Sequence, residues 1–134
     1  MKSIKKFLYF AYGTNVNKKF FLKKFKNAKY IKKYCLNNFE VVFRSKYGVP
    51  DIQRKKGCKV NGVIYQIDNL IEKKLDTYED YPKLYIKKFF YKNSKRVMFY
   101  FMKRKTPTLK PAKYYLEIMK SGYRQNNFKF NLIY

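Results

Sequence analysis

Leu75-Asp76-Thr77-Tyr78-Glu79-Asp80-Tyr81-Pro82 is the stretch whose reading decides the fold. It closes a short helix. Ile71, Leu75 and Tyr78 recur at the i, i+4, i+7 spacing of a single apolar stripe. Asn69, with Glu72 three residues later, predicts the helix start as a capping box, and Pro82 predicts its stop. At roughly 100° per residue, Glu79 falls about 40° from Leu75, on the core-facing side, while Asp80 turns to solvent. A glutamate half-buried among tyrosines is costly unless it is paired or used. Glu79 is therefore the first candidate functional residue.

The flanking segments alternate between strand and helix signals. Gly62-Val63-Ile64-Tyr65-Gln66-Ile67 reads as a strand with residues 63, 65 and 67 on one face, leading into the Glu79 helix. After it, Leu84 to Tyr91 and Lys95 to Met102 pair as a hairpin about Lys92-Asn93-Ser94. Nearer the N-terminus, Phe7-Leu8-Tyr9-Phe10-Ala11-Tyr12 is a buried strand that enters a tight loop at Gly13. Asn17 caps a short helix through Phe20, Phe21, Leu22 and Phe25. Phe39 to Arg44 alternates as a half-buried strand, and Gly48 to Ile52 is a turn opening a further short extended piece. A last helix is expected from Pro111 to Gly122, with Ala112, Tyr115, Leu116 and Met119 as its apolar face. This order predicts a mixed α/β chain of the α+β class with a small, curved, barrel-like sheet. No linker, repeat or low-complexity tract interrupts it, so one domain is expected over residues 1–134.

Composition narrows the function classes. At 46% hydrophobic and 21% aromatic, the chain has the material for a real core. No apolar run approaches the roughly 20 residues of a membrane span. The basic start Met1-Lys2-Ser3-Ile4-Lys5-Lys6 is followed by no long apolar leader and cleavage site, which predicts a cytoplasmic protein. Cys35 and Cys58 have no metal-ligand spacing and need no disulfide. With no histidine, zinc sites, Cys–His nucleophiles and Ser-His-Asp triads are excluded.

The net charge of +25 has two readings. A field of that size attracts phosphate backbones whatever the fold. The chain is also heavy in Lys, Asn, Ile, Tyr and Phe, the residues of A/T-rich codons, and its lysines are scattered through every segment. A selected nucleic-acid surface more often uses arginine for bidentate contacts, and clusters it. Coding bias is the favoured reading.

Tyr12-Gly13-Thr14-Asn15 is the second candidate feature. A strand that ends in a glycine loop before a helix start exposes consecutive backbone N–H groups, a place for a carboxylate or an oxyanion. The same residues also suit a plain strand-to-helix turn.

In combination, these segments resemble the gamma-glutamylcyclotransferase (AIG2-like) family. Phe10-Ala11-Tyr12-Gly13-Thr14-Asn15 is similar to its YGSN loop, and Val60-Asn61-Gly62-Val63-Ile64-Tyr65-Gln66-Ile67 to its glycine-containing strand. Leu75 to Pro82, with Tyr85 following, resembles the segment that carries the family's catalytic glutamate. Tyr115 to Tyr123 resembles its last helix. Three positions depart from the pattern. Thr14 stands for the usual serine, Asp80 follows Glu79 in place of a common glycine, and Asp51 stands where a small residue usually precedes Ile52. An acid at 51 could narrow the pocket or repel part of an anionic substrate.

The resemblance implies an enzyme, classed as a carbon–nitrogen lyase or acyltransferase. It would convert a small L-γ-glutamyl compound to 5-oxoproline and a free amine or amino acid, with no enzyme nucleophile and with neither metal nor organic cofactor. It implies Glu79 as the general acid/base, the loop residues Tyr12, Gly13, Thr14 and Asn15 as substrate binders, and Tyr85 and Tyr123 as pocket-wall hydroxyls. Nearby lysines would depress Glu79, so this reading requires them to stay at the rim. Two alternatives remain open. One is a non-catalytic ligand-binding module of the same fold. The other is a basic nucleic-acid-binding protein that stacks bases on Phe89, Tyr91, Phe99 and Phe101, positions whose alternation assigns them to the core.

Overall fold

The structure, a computed structural model, describes residues 4–130 and 132. Its elements run β1 (Lys6–Ala11), a single 3₁₀ turn (Thr14–Val16), α1 (Lys18–Lys24), β2 (Lys29–Arg44), β3 (Val49–Asp68), α2 (Asn69–Tyr78), β4 (Tyr85–Lys92), β5 (Lys95–Met102) and α3 (Lys113–Gln125). The five strands form one sheet in the order β2-β3-β1-β5-β4. β1 lies at its centre, antiparallel to β3 and parallel to β5. This is the mixed α+β class with a curved sheet that the element order predicts.

Centrality explains the apolar run in β1. Tyr9, Phe10 and Ala11 are all buried, because both faces of a central strand are covered. Phe10 packs edge-on against Tyr34 and Phe90, and Tyr9 packs against Phe21, Tyr65 and Tyr100. The β4–β5 hairpin turns at Asn93 and Ser94, both with positive φ (51° and 65°), the pairing a two-residue I′ turn requires.

Four local expectations are corrected. The capping residue of α2 is Asp68, whose carboxylate accepts from the Ile71 N–H at 2.8 Å. Asn69 instead accepts from the Lys5 N–H, and Glu72 pairs with Lys87 at 2.7 Å. β2 and β3 are far longer than the apolar alternation shows, forming a hairpin with a shift in register between Asn37 and Phe39. Its far arm is lysine-rich and mostly solvated, so period-2 patterning is invisible there. α3 starts at Lys113 and runs through Gly122 to Gln125, where Asn127 (φ 57°) takes the left-handed position expected of Gly122. Finally, the hairpin aromatics divide: Phe99 is buried and Phe101 half-buried, but Phe89 and Tyr91 face solvent. They sit on the edge strand β4, where the Arg96 guanidinium lies 4.3 Å from the Phe89 ring centre.

Candidate active site

The site begins where β1 runs out. Gly13 lies so close to Pro50 that a Cβ there would come 2.9 Å from the proline ring, which explains glycine at this point. The chain then tightens into the 3₁₀ turn, with the Val16 N–H donating to the Gly13 carbonyl and the Asn17 N–H to Thr14. The amides that open such a turn, those of Thr14 and Asn15, have no partner within it. The loop is held from beneath. The Tyr65 hydroxyl donates to the Asn15 carbonyl at 2.7 Å, and the Asn15 amide nitrogen donates to the Tyr9 hydroxyl at 3.0 Å.

Glu79 reaches the same place by a different device. It is the residue that caps α2, and the chain leaves the helix through paired 5→2 and 6→1 hydrogen bonds: Asp80 N–H to Thr77 O (3.2 Å) and Tyr81 N–H to Asp76 O (2.9 Å). Asp80 occupies the left-handed position at φ 53°. Aspartate tolerates that conformation better than most residues, so this departure from glycine leaves the helix end intact. The abrupt exit aims Glu79 inward while Asp80 is exposed.

A cavity of about 190 Å³ opens between these two elements, with Tyr12, Gly13, Thr14 and Asn15 on one side and Glu79 on the other. Tyr9, Phe10, Pro50, Leu84, Tyr85 and Tyr100 complete its depths, and Tyr47, Val49, Tyr78 and Tyr115 complete the wall. None of the described basic residues lines it. Burial pushes the Glu79 carboxyl up to about 7, opposed by the attraction of Lys24. Lys24 stays outside, with its ammonium 3.9 Å from the Tyr78 ring centre and 4.1 Å from that of Phe20. Burial also raises the hydroxyls of Tyr9, Tyr12 and Tyr85, so they stay protonated around a titratable glutamate.

A family model described as gamma-glutamyl cyclotransferase, AIG2-like, matches residues 9–124. The chain belongs to this family. No curated protein matches it in sequence. Among solved structures, an uncharacterized protein from Homo sapiens superposes with a TM-score of 0.78 at 21% identity, covering 93% of this chain and 82% of its own. A gamma-glutamyl cyclotransferase gives 0.77 at 22% identity, covering 91% and 80%. An AIG2-like protein from Mus musculus gives 0.58 at 23%, covering 84% and 83%. At such identities the likeness is one of fold.

Within this cyclotransferase-like frame, most of the residues singled out in the sequence converge. Tyr85 lines the cavity, and its hydroxyl donates to the Pro50 carbonyl. Tyr123 does not line it. That side chain is buried in the last turn of α3, with its ring against Phe128 and Phe130. Asp51 is also absent from the wall. It is fully buried, paired with Arg44 at 2.9 Å and Lys105 at 2.8 Å, and accepts from the Met102 N–H at 2.7 Å. This acid ties β3 to β5 and does not narrow the pocket. The sequence reading passed over Tyr9, Tyr47, Tyr78, Tyr100 and Tyr115. In a chain with 15 tyrosines, no local pattern marks the ones that meet at a cavity.

Proposed function

We propose that the protein cyclises small L-γ-glutamyl compounds, releasing 5-oxoproline and a free amine or amino acid. The observation that supports this most directly is a glutamate with a carboxyl raised to about 7, across one cavity, lined by no described lysine, from a loop whose opening amides have no partner within its own turn. The reaction is intramolecular. The substrate's α-amine attacks its own γ-carbonyl, a C–N bond forms and closes a five-membered ring, and the bond to the leaving amine breaks. The attacking nitrogen sheds two protons on its way from ammonium to lactam N–H, and Glu79 relays them to the departing nitrogen, which leaves as an ammonium, so the carboxylate ends as it began. An acid titrating near neutrality suits both halves of that task.

The remaining work is conformational. The loop at residues 12–15 and the tyrosine wall fold the γ-glutamyl chain so that amine and carbonyl meet. Its open amides receive the α-carboxylate, a role that the excluded lysines cannot take. Neither metal nor organic cofactor is required by such chemistry. The two cysteines are free, in keeping with a cytoplasmic setting. Among the described residues, no helix is long and apolar enough to cross a membrane. The reading is tested by incubating the protein with a panel of γ-glutamyl amines and amino acids and measuring 5-oxoproline. An enzyme inert toward the whole panel, with Glu79 intact, would favour a non-catalytic binding module of the same fold.

A further inference from the structure

Four buried tyrosines line the cavity: Tyr9, Tyr12, Tyr85 and Tyr100. Three commit their hydroxyl protons to the protein. Tyr12 donates to the Tyr100 carbonyl at 2.7 Å, Tyr85 to the Pro50 carbonyl, and Tyr100 to the Asp76 carboxylate at 2.6 Å. Tyr65, directly beneath, also donates inward, to the Asn15 carbonyl. Tyr9 differs. Its hydroxyl oxygen accepts from the Asn15 Nδ2, and among the described residues its proton meets no acceptor.

The Asn15 amide makes this arrangement notable. With Nδ2 turned to Tyr9, the Asn15 Oδ1 is buried and without a partner, the only side-chain polar atom so left among the described residues. An interior acceptor left empty is unfavourable. Turning the amide end for end would let Oδ1 take the Tyr9 proton instead, which would commit that proton to the protein as in the other three tyrosines. In the orientation found, the protein leaves the hydroxyl proton uncommitted, on a residue that lines the cavity. Burial and the Glu79 charge both hold the Tyr9 hydroxyl well above its ordinary range, so it donates a hydrogen bond without losing its proton.

We propose that Tyr9 is a catalytic residue, the hydrogen-bond donor to the substrate's γ-carbonyl oxygen, oriented for that task by Asn15. This rests on the cyclotransferase reading and adds the electrophile's partner to it. As the amine lone pair forms the new C–N bond, the carbonyl π pair moves onto oxygen. Tyr9 stabilises that oxyanion by hydrogen bonding until the pair returns and expels the leaving amine, which takes its proton from Glu79. The loop amides are then free to hold the α-carboxylate alone.

The experiment is a cycle of two changes. Tyr9→Phe keeps the ring that packs on Phe21, Tyr65 and Tyr100 and removes only the hydroxyl. Replacing the γ-carbonyl oxygen of the substrate by sulfur removes most of the acceptor's strength. Losing a single oxyanion donor costs about 10²–10³-fold in kcat. Tyr9→Phe should lose that much with the oxygen substrate, with KM and 5-oxoproline affinity nearly unchanged, and much less with the sulfur substrate. An equal loss with both substrates, or a loss confined to KM, would assign Tyr9 to loop positioning and overturn the proposal. So would a kcat within about threefold of wild type. Wild-type protein inert on every γ-glutamyl compound would instead remove the cyclotransferase reading itself, and this proposal with it. A thermal melt reports whether Tyr9→Phe is folded. If it is not, 3-fluorotyrosine at residue 9, a stronger donor of almost the same size, should change kcat; an unchanged value overturns the proposal.

Discussion

Gly122, in the last turn of α3, lies directly against Asn17: a Cβ at residue 122 would sit 2.7 Å from the Asn17 backbone nitrogen and 2.8 Å from its Cα. The site loop is thus clamped from behind by a helix that contributes only Tyr115 to the cavity wall. The clamp is reinforced by side chains. Asn17 Nδ2 donates to the Ile118 carbonyl at 3.1 Å, and Asn126 Nδ2 reaches the Val16 carbonyl at 3.3 Å. Gln125 Nε2 donates to the Asn17 Oδ1 that also caps α1.

Gly122→Ala therefore sets two effects against each other. In an unconstrained helix interior, alanine is more stable than glycine by about 0.5–1 kcal/mol. Here the added methyl meets backbone, and overpacking of this kind costs about 1–3 kcal/mol. The variant is expected to be less stable by urea titration and to bind γ-glutamyl compounds more weakly, because the loop must shift. A more stable variant with unaltered KM would show that α3 does not constrain the loop.

Glu79→Gln should keep the fold and lose turnover. Removal of a general base typically costs about 10²–10⁴-fold. Proton transfer belongs to the transition state, so the loss is expected in kcat and not mainly in KM. Asp80→Asn is the control, since Asp80 is exposed and Asn is equally suited to its left-handed backbone; it should remain active.

The pH dependence follows from the position of Glu79. It must be ionised to accept a proton, so kcat is expected to rise through about pH 7 and then level. Lys24 attracts the carboxylate and so opposes the rise; Lys24→Met should shift that limb to higher pH. Stability moves the opposite way. A carboxyl raised in the folded state favours folding when protonated, so its contribution is lost as pH climbs from about 4.5 through about 7. Glu79→Gln should accordingly melt above wild type at pH 8, with the gap shrinking by pH 5. A gap that grows on acidification would contradict the assigned direction.

Binding of RNA and DNA is expected to be sequence-blind and to fade steeply with salt, as scattered lysines supply counterion release without base contacts. Exposed Phe89 and Tyr91 are where stacking could occur. Replacing both by alanine should change affinity little. Tight, sequence-selective binding at physiological salt that depends on these two rings would favour the nucleic-acid reading.

Sequence alone determined the features that are local. The spacing of Ile71, Leu75 and Tyr78 gave the helix and the inward aim of Glu79. The Asn93-Ser94 turn, the Asn17 cap and the buried run at residues 7–12 were legible because propensity, capping and periodicity act over a few residues. The ordered motifs carried the family. Tertiary structure decided what depends on contacts far apart in the chain. It brought Glu79 to the same cavity as a loop more than 60 residues earlier, kept every described lysine off the wall, and buried Asp51 against Arg44 and Lys105. It also made Gly122 a point of close approach inside α3, where the sequence suggested a helix end. Among 15 tyrosines of like local setting, only the packing selects Tyr9 as the buried cavity-lining one whose proton meets no acceptor among the described residues, because a hydroxyl's direction is set by whichever acceptor the fold places beside it.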